Sequence, residues 1–298
     1  MRYRPFGVAG KAVSAISLLL REPGRPQPPG TWRNLAFAAM ETGVNTFEFE
    51  AGSEALAEGL RLAFEPVERR LLFVSLRLPG DGRTPTDAQR IEGAIRQALR
   101  STAAAYLDLL MLDERAYATL TAEGARMLDE VRSAGLALGV GVVGEGPVID
   151  QAVATGAFDA LGSPFNLTSG WKIRRRIREA AHANMAILGF DPFPPELCRL
   201  PSEPPQKGGL FRRSGPSAAS VGPYAFLHET RGWEADELCL GYALTEPSLS
   251  TIQIEALRPE VIERLGAIPD RDLPTGLAAQ IEMARIDSQA EGPTAQRA

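Results

Sequence analysis

The sequence is poor in the residues that staple a fold or bind metal. Its 298 residues hold two cysteines, Cys198 and Cys239, and two histidines. Two cysteines make no disulfide framework, and neither stands at metal-ligand spacing. Both are expected as ordinary thiols in a reducing cytosol. His182 and His228 are isolated, one on an expected helix and one in a loop, so no metal site is expected. Long apolar runs are missing too. Nothing approaches the roughly 18 residues of a membrane span. Met1-Arg2-Tyr3-Arg4 leads into polar sequence, not the apolar core of a signal peptide. A cytoplasmic protein with no membrane partner is expected. Positive charge is not in excess: 32 Lys and Arg stand against 37 Asp and Glu, a net −5, which argues against a large nucleic-acid footprint.

What is present is an ordinary globular composition, 44% hydrophobic, long enough for one large barrel or two smaller domains. Strand-length apolar runs at 13–20, 44–49, 70–77, 106–112, 136–143, 159–161, 185–190 and 249–254 alternate with helical patterns. The helices are expected at 32–42, 54–64, 87–102, 121–134, 147–155, 171–184, 233–245 and 259–265. Alternation with almost no hairpin signal implies parallel pairing, and eight units of this length imply a (β/α)8 TIM barrel spanning 1–286. The stretch 191–232 is rich in Pro, Gly and Ser, and a loop this long is usually functional or partly disordered. The polar tail 287–298 is expected to be disordered. The competing architecture is an open doubly wound sheet. Gly139-Val140-Gly141-Val142-Val143-Gly144 matches the dinucleotide fingerprint Gly-x-Gly-x-x-Gly. Against it, the hexamer lies mid-chain, and Glu145-Gly146 intervene before the next helix begins at Pro147.

The stretch Gly43-Val44-Asn45-Thr46-Phe47-Glu48-Phe49-Glu50-Ala51-Gly52-Ser53-Glu54 organises the chain. It resembles the aldo-keto reductase signature, in which Asn-x-x-Asp-Thr-Ala ends a strand and a tyrosine and a Gly-x-Ser-Glu helix start follow. Further segments resemble the family in order. They are Met1 to Gly7 with Val13-Ser14-Ala15-Ile16, Tyr106 to Leu112, Gly135 to Gly141, Ser163-Pro164-Phe165-Asn166-Leu167, and Ala243-Leu244-Thr245-Glu246-Pro247. Together they cover roughly residues 1 to 268, and imply the family's barrel.

The resemblance also implies a chemistry that this chain departs from. In the family a tyrosine protonates the carbonyl oxygen as a nicotinamide hydride attacks its carbon, a lysine and an aspartate tune that tyrosine, and a histidine orients the substrate. Here Glu48 stands at the aspartate, Arg77 at the lysine and Asp113 at the histidine, and the tyrosine has no counterpart. Arginine keeps its charge and cannot tune by proton exchange. All three are expected at C-terminal strand ends, where barrel sites form. They are either a remodelled site or a plug in which Arg77 lies between two carboxylates. A hydrolase acid/base pair of Glu48 and Asp113 is a further alternative.

For the cofactor, the resemblance implies contacts from Leu20, Arg21, Glu48 and Gly162, from Phe190 as a stacking ring with Asp191, Pro192 and Phe193 in the following turn, and from Glu255, Ala256, Leu257, Arg258 and Arg264 after the last strand. Phosphate-preferring members place cations where this chain has Glu255 and Val261, so NAD(H) is expected over NADP(H), with Arg258 and Arg264 able to oppose that preference. A member without catalysis is expected to regulate through protein partners. For a bacterial regulator of this description, the expected partners are the division protein FtsZ and a cell-cycle histidine kinase. The basic run Lys172-Ile173-Arg174-Arg175-Arg176-Ile177-Arg178 is either a solvated helix face or a docking patch for an acidic partner. Two alternatives stay open: an active oxidoreductase whose proton donor is Tyr224, and a cofactor-free scaffold.

Overall fold

A β-hairpin, β1 (Tyr3–Phe6) with β2 (Lys11–Ser14), precedes eight parallel strands that close on themselves. The computed structural model describes residues 1–7, 10–198 and 222–291. The barrel strands are β3 (Ile16–Leu20), β4 (Thr46–Glu50), β5 (Phe73–Leu78), β6 (Leu109–Asp113), β7 (Val140–Val143), β8 (Ala160–Pro164), β9 (Ala186–Phe190) and β10 (Thr251–Ile254). They run in chain order, and β10 pairs with β3 to close the ring. The expected (β/α)8 barrel is therefore the observed fold.

Around it lie α1 (Pro29–Glu41), α2 (Glu54–Phe64), α3 (Ala88–Thr102), α4 (Glu114–Ala118), α5 (Ala122–Ser133), α6 (Pro147–Thr155), α7 (Trp171–His182), α8 (Pro195–Cys198), α9 (Phe226–Glu229), α10 (Ala235–Ala243), α11 (Pro259–Gly266) and α12 (Leu277–Glu291). Local chemistry sets their starts. Ser53 accepts from the Leu56 N–H at 3.1 Å, Asp87 from Arg90 at 2.9 Å and Thr121 from Gly124 at 3.0 Å, which satisfies orphan first-turn donors. Proline opens α6 and α11, where its missing N–H is not needed.

Period-2 alternation divides the strand side chains between two cores. Leu18, Phe47, Leu76, Leu110, Leu161 and Ile252 face the helices and join Leu35, Leu60 and Ile91. Phe73, Leu109, Met111, Val143 and Leu188 fill the lumen, which the hairpin's Phe6 closes at one end, its ring 4.4 Å from that of Phe73. Further along the lumen the buried residues turn polar: Ser17, Glu48, Ser75, Thr251 and Gln253.

The Gly139–Gly144 hexamer is β7 and its flanks, not a phosphate loop. A Cβ on Gly141 would lie 2.5 Å from the Met111 sulfur, so the glycine serves lumen packing. Two other expectations need revision. The region after 287 begins inside α12, which reaches Glu291 because Leu277, Ile281 and Ala284 bury one side of it; 292–298 lie outside the described residues. The long stretch 191–232 carries α8 and α9 at its ends, and 199–221 lie outside the described residues.

Candidate functional site

The C-terminal ends of β3, β5, β9 and β10 surround a cleft of about 320 Å³. One wall is the turn after β9, where Phe190, Asp191, Pro192 and Phe193 all line the space. Asp191 adopts the left-handed conformation at φ 52°, and its carbonyl accepts from the Asn166 side chain at 3.0 Å, which fixes that turn. Across it, Arg21 Nε donates to Glu255 at 2.9 Å and ties the end of β3 to the end of β10. Leu19, Arg77 and Gln253 also line the cleft.

Beneath lies a buried ion pair. Arg77 Nε donates to Glu48, whose other oxygen accepts from Ser75 Oγ at 3.3 Å. Arg77 Nη2 donates to Gln253 Oε1 at 2.8 Å. That bond orients the amide, because a guanidinium can only donate. Gln253 Nε2 is then left buried without a partner, as are Ser17 Oγ and Thr251 Oγ1. Register places Ser17 beside Gln253, so the β3–β10 wall carries several unmet polar atoms. Unmet buried polar atoms are rare in folded proteins and point to a ligand or water.

The expected plug is only half present. Asp113 does not flank Arg77: its carboxylate accepts from the Gly80 N–H at 2.9 Å and the Ala116 N–H at 2.7 Å. The physical reason is α4, which starts directly after β6 and takes that carboxylate as its N-cap. Asp113 shares no hydrogen-bond partner with Glu48, the other carboxylate of the expected acid/base pair. Leu20 packs in the helix-facing core, and Leu19, one residue earlier and of opposite parity, lines the cleft. Gly162 sits in the lumen, where an added Cβ would lie 2.5 Å from a Val143 methyl. Ala256 is half-buried against the outer core, and Leu257 and Arg258 are exposed. Arg264 turns to α10, bonding Asp236 at 2.6 and 2.9 Å and Glu237 at 3.3 Å. The Asp236 hydrogen bonds hold its pKa above the ordinary arginine value. Glu48 lies under the cleft. The structure thus gathers Arg21, Phe190, Asp191, Pro192, Phe193 and Glu255 around the cleft, with Glu48 beneath it, and the other expected residues do not line it.

The basic run of α7 is not one free face. Arg176, 5% exposed, pairs with Asp150 at 2.5 Å and donates to the carbonyls of Glu145 and Gly146. Arg174 donates to Tyr242 at 2.8 Å and meets Glu282 at 3.4 Å, and Arg175 pairs with Glu179 on its own helix. Lys172 and Arg178 are exposed.

No protein-family model matches the chain, and no curated protein does. Among solved structures it is similar to aldo-keto reductase AKR11C1 from Bacillus halodurans (holo form), at 15% identity and a TM-score of 0.74, over 95% of this chain and 96% of that one. The chain has the fold of an aldo-keto reductase. Within this aldo-keto-reductase-type barrel the cleft occupies the face where barrel active sites form. Among the described residues that line it there is no tyrosine, histidine or lysine. The chain has five tyrosines, and none lines the cleft. Tyr224 is buried in the outer core beside Phe226, and Tyr242 bonds Arg174 and Glu282. Burial first, then the Glu282 contact, pushes the Tyr242 phenol up. Neither histidine lines it: His182 ends α7, and His228 bonds the Leu197 carbonyl at 2.8 Å.

Sequence reasoning missed Leu19, Gln253, Ser17 and Thr251. A signal was there: Ser17 interrupts the apolar β3, and Thr251 and Gln253 alternate with isoleucines in β10, which marks lumen-facing polar positions. Among the described residues, no group of three or more His, Cys, Asp and Glu is placed to hold a metal, and no helix is long and apolar enough to cross a membrane.

Proposed function

We propose that this chain is a catalytically silent oxidoreductase homologue that binds a nicotinamide cofactor, NADH in preference to NADPH, and regulates other proteins in the cytoplasm through direct contacts. The observation that carries this is the floor of the cleft. An arginine neutralised by a buried glutamate stands there, with no tyrosine, histidine or lysine among the residues lining the space. A cofactor held there would supply a hydride. General acid catalysis of the accompanying proton transfer is worth about 10²–10⁴-fold, and arginine cannot provide it at neutral pH.

The residues present fit such a group. The volume falls within the usual range of about 300–1,000 Å³ for small-molecule sites. Phe190 and Phe193 offer ring faces, and the unmet Gln253 Nε2 offers a donor for a carboxamide or hydroxyl oxygen. The preference for NADH rests on Glu255 at the rim, whose carboxylate accepts ribose hydroxyls and repels a 2′-phosphate. Arg264 is already held by α10, and the exposed cations that could oppose the preference are Arg258 and Arg21, the latter paired with Glu255. Calorimetric titration with both reduced cofactors tests this. NADH is expected to bind at least tenfold more tightly, and Phe190→Ala to weaken it. Equal or tighter NADPH binding refutes the preference, and no binding of either leaves a cofactor-free scaffold.

A degenerate barrel of this kind resembles the bacterial cell-division and kinase inhibitor KidO. That resemblance is the ground for proposing FtsZ and a histidine kinase as partners. Charge reversal at Lys172 and Arg178, the exposed cations of α7 outside the Arg175–Glu179 pair, tests that helix as the contact. Unchanged binding to both partners would remove it. The rival reading, an active reductase with Tyr224 as donor, predicts carbonyl reduction that Tyr224→Phe abolishes.

A further inference from the structure

The chain's two cysteines, 41 residues apart in sequence, meet in space. Cys198 closes α8, Cys239 lies in α10, and their sulfurs are 3.5 Å apart, with the Cys198 thiol donating to Cys239. Cys239 is fully buried, and Cys198 is partly exposed. With only two cysteines in 298 residues, a chance encounter at van der Waals distance is improbable. Two sulfurs in contact need to close by only about 1.5 Å to reach bonding distance, a displacement within reach of side-chain rotation.

We propose that Cys198 and Cys239 are a modification site: a dithiol pair that a peroxide oxidises to an intramolecular disulfide. The accessible Cys198 reacts first. Its thiolate attacks the O–O bond of hydrogen peroxide, taking one oxygen as a sulfenic acid and releasing hydroxide, which takes up a proton to leave as water. The Cys239 sulfur then attacks the sulfenic sulfur. The S–S bond forms, the S–O bond breaks, and the thiol proton leaves with that oxygen as a second water. Two thiols and one peroxide give one disulfide and two waters, and exchange with a dithiol reverses it. The Cys198 contact and burial push the Cys239 thiol up, which keeps it protonated and unreactive toward solvent oxidants until a sulfenic acid forms beside it.

The bond would have a structural consequence. α8 begins two residues after Phe193, and its turn is set by the Leu197 and Cys198 N–H groups, both donating to the Pro194 carbonyl at 3.0 Å. Its Leu197 carbonyl meets His228. A disulfide would fasten this turn, and with it the wall formed by Asp191 to Phe193, onto α10.

The test uses the full chain and is independent of cofactor binding. The protein is treated with a few equivalents of hydrogen peroxide, and free thiols, intact mass and a non-reducing peptide map are recorded. Expected are loss of both thiols, loss of two hydrogens in mass without oxygen gain, and a Cys198–Cys239 linked peptide. Melting should shift up by roughly 5–10 °C, because the bond closes a long loop. A dithiol should reverse the shift, and Cys239→Ala and Cys239→Ser should both lack it. Two thiols that stay free, a Cys198 sulfenic or sulfinic acid with Cys239 still reduced, or dimers linked through Cys198 would each overturn the proposal. The wild-type map decides the matter even if both variants fail to fold.

Discussion

The barrel buries two carboxylates against arginine, one toward each end, and they are not alike. At the end covered by the hairpin, Asp108 is saturated: it accepts from Lys11 at 2.5 Å, from Arg69 at 2.7 Å and from the Val74 N–H at 2.8 Å. The same Arg69 lies 4.0 Å from the ring of Tyr106. At the open end, Glu48 has Arg77 and a long bond from Ser75, while Gln253, Ser17 and Thr251 keep unmet polar atoms. A buried ion pair is weak evidence of function on its own, because removing its partner is costly wherever it lies. What separates a structural network from a binding floor is whether the surrounding donors and acceptors are spent. Among the described residues, one atom beside Asp108, Arg69 Nε, is unmet; on the β3–β10 wall near Glu48 three are, and Gln253 among them lines the cleft.

That contrast can be broken. Asp108→Ala leaves Lys11 and Arg69 without their shared acceptor and strands the Val74 N–H. A loss of about 3–5 kcal/mol in stability is expected, read by urea unfolding, together with unchanged NADH affinity in whatever fraction stays folded. A small stability loss with abolished NADH binding would invert the assignment of the two ends.

Glu48→Ala is the matching change at the other end. Arg77 keeps its Gln253 bond and borders the cleft, where water can hydrate it, so the expected loss is smaller, about 2 kcal/mol. NADH affinity should change with it. A loss larger than that of Asp108→Ala would mean that Glu48 is the structural carboxylate.

An exposed carboxylate sharpens the scale from below. Asp81, in the loop after β5, accepts from the Thr84 hydroxyl at 2.7 Å, the Thr84 N–H at 2.7 Å and the Arg83 N–H at 2.8 Å. These bonds, the hydroxyl's first, hold its pKa at about 2, below the ordinary 3.8. A carboxyl pKa depressed by folding contributes stability that is present above the unfolded value and lost as pH falls through the folded one. The loop's contribution should therefore fade between pH 4 and 2, and Asp81→Asn should remove that part of the acid profile. A carboxyl NMR titration of Asp81 with its midpoint near 4 would contradict the assignment.

Much of this was legible in the sequence, for physical reasons. Eight apolar runs alternating with amphipathic helices can bury both sheet faces only by pairing in parallel, and that reading gave the barrel. Strand edges were less legible. β6 starts at Leu109, not 106, and β7 at Val140, not 136, because the intervening residues make only an isolated bridge between Leu107 and Ala137. α12 was overlooked because its apolar stripe is short. In the site, Phe190 to Phe193 and Glu255 were readable as residues at and just after strand ends. Leu20 was off by one position, which in a strand changes the face. Asp113 was misplaced because nothing in the strand pattern announces a helix that claims its carboxylate at once. Gln253 was invisible because its role comes from Arg77, 176 residues away in sequence and brought near by barrel closure.

The central claim is that the open end binds a reduced nicotinamide cofactor and does no chemistry with it. The most direct measurement saturates the protein with NADH, adds a panel of aldehydes and ketones, and follows cofactor oxidation, for the unmodified chain and for Arg77→Lys with Asp113→His. The account predicts saturable binding and no oxidation above background in either protein, since those two substitutions restore no proton donor. Cofactor-dependent carbonyl reduction by the unmodified chain would contradict it.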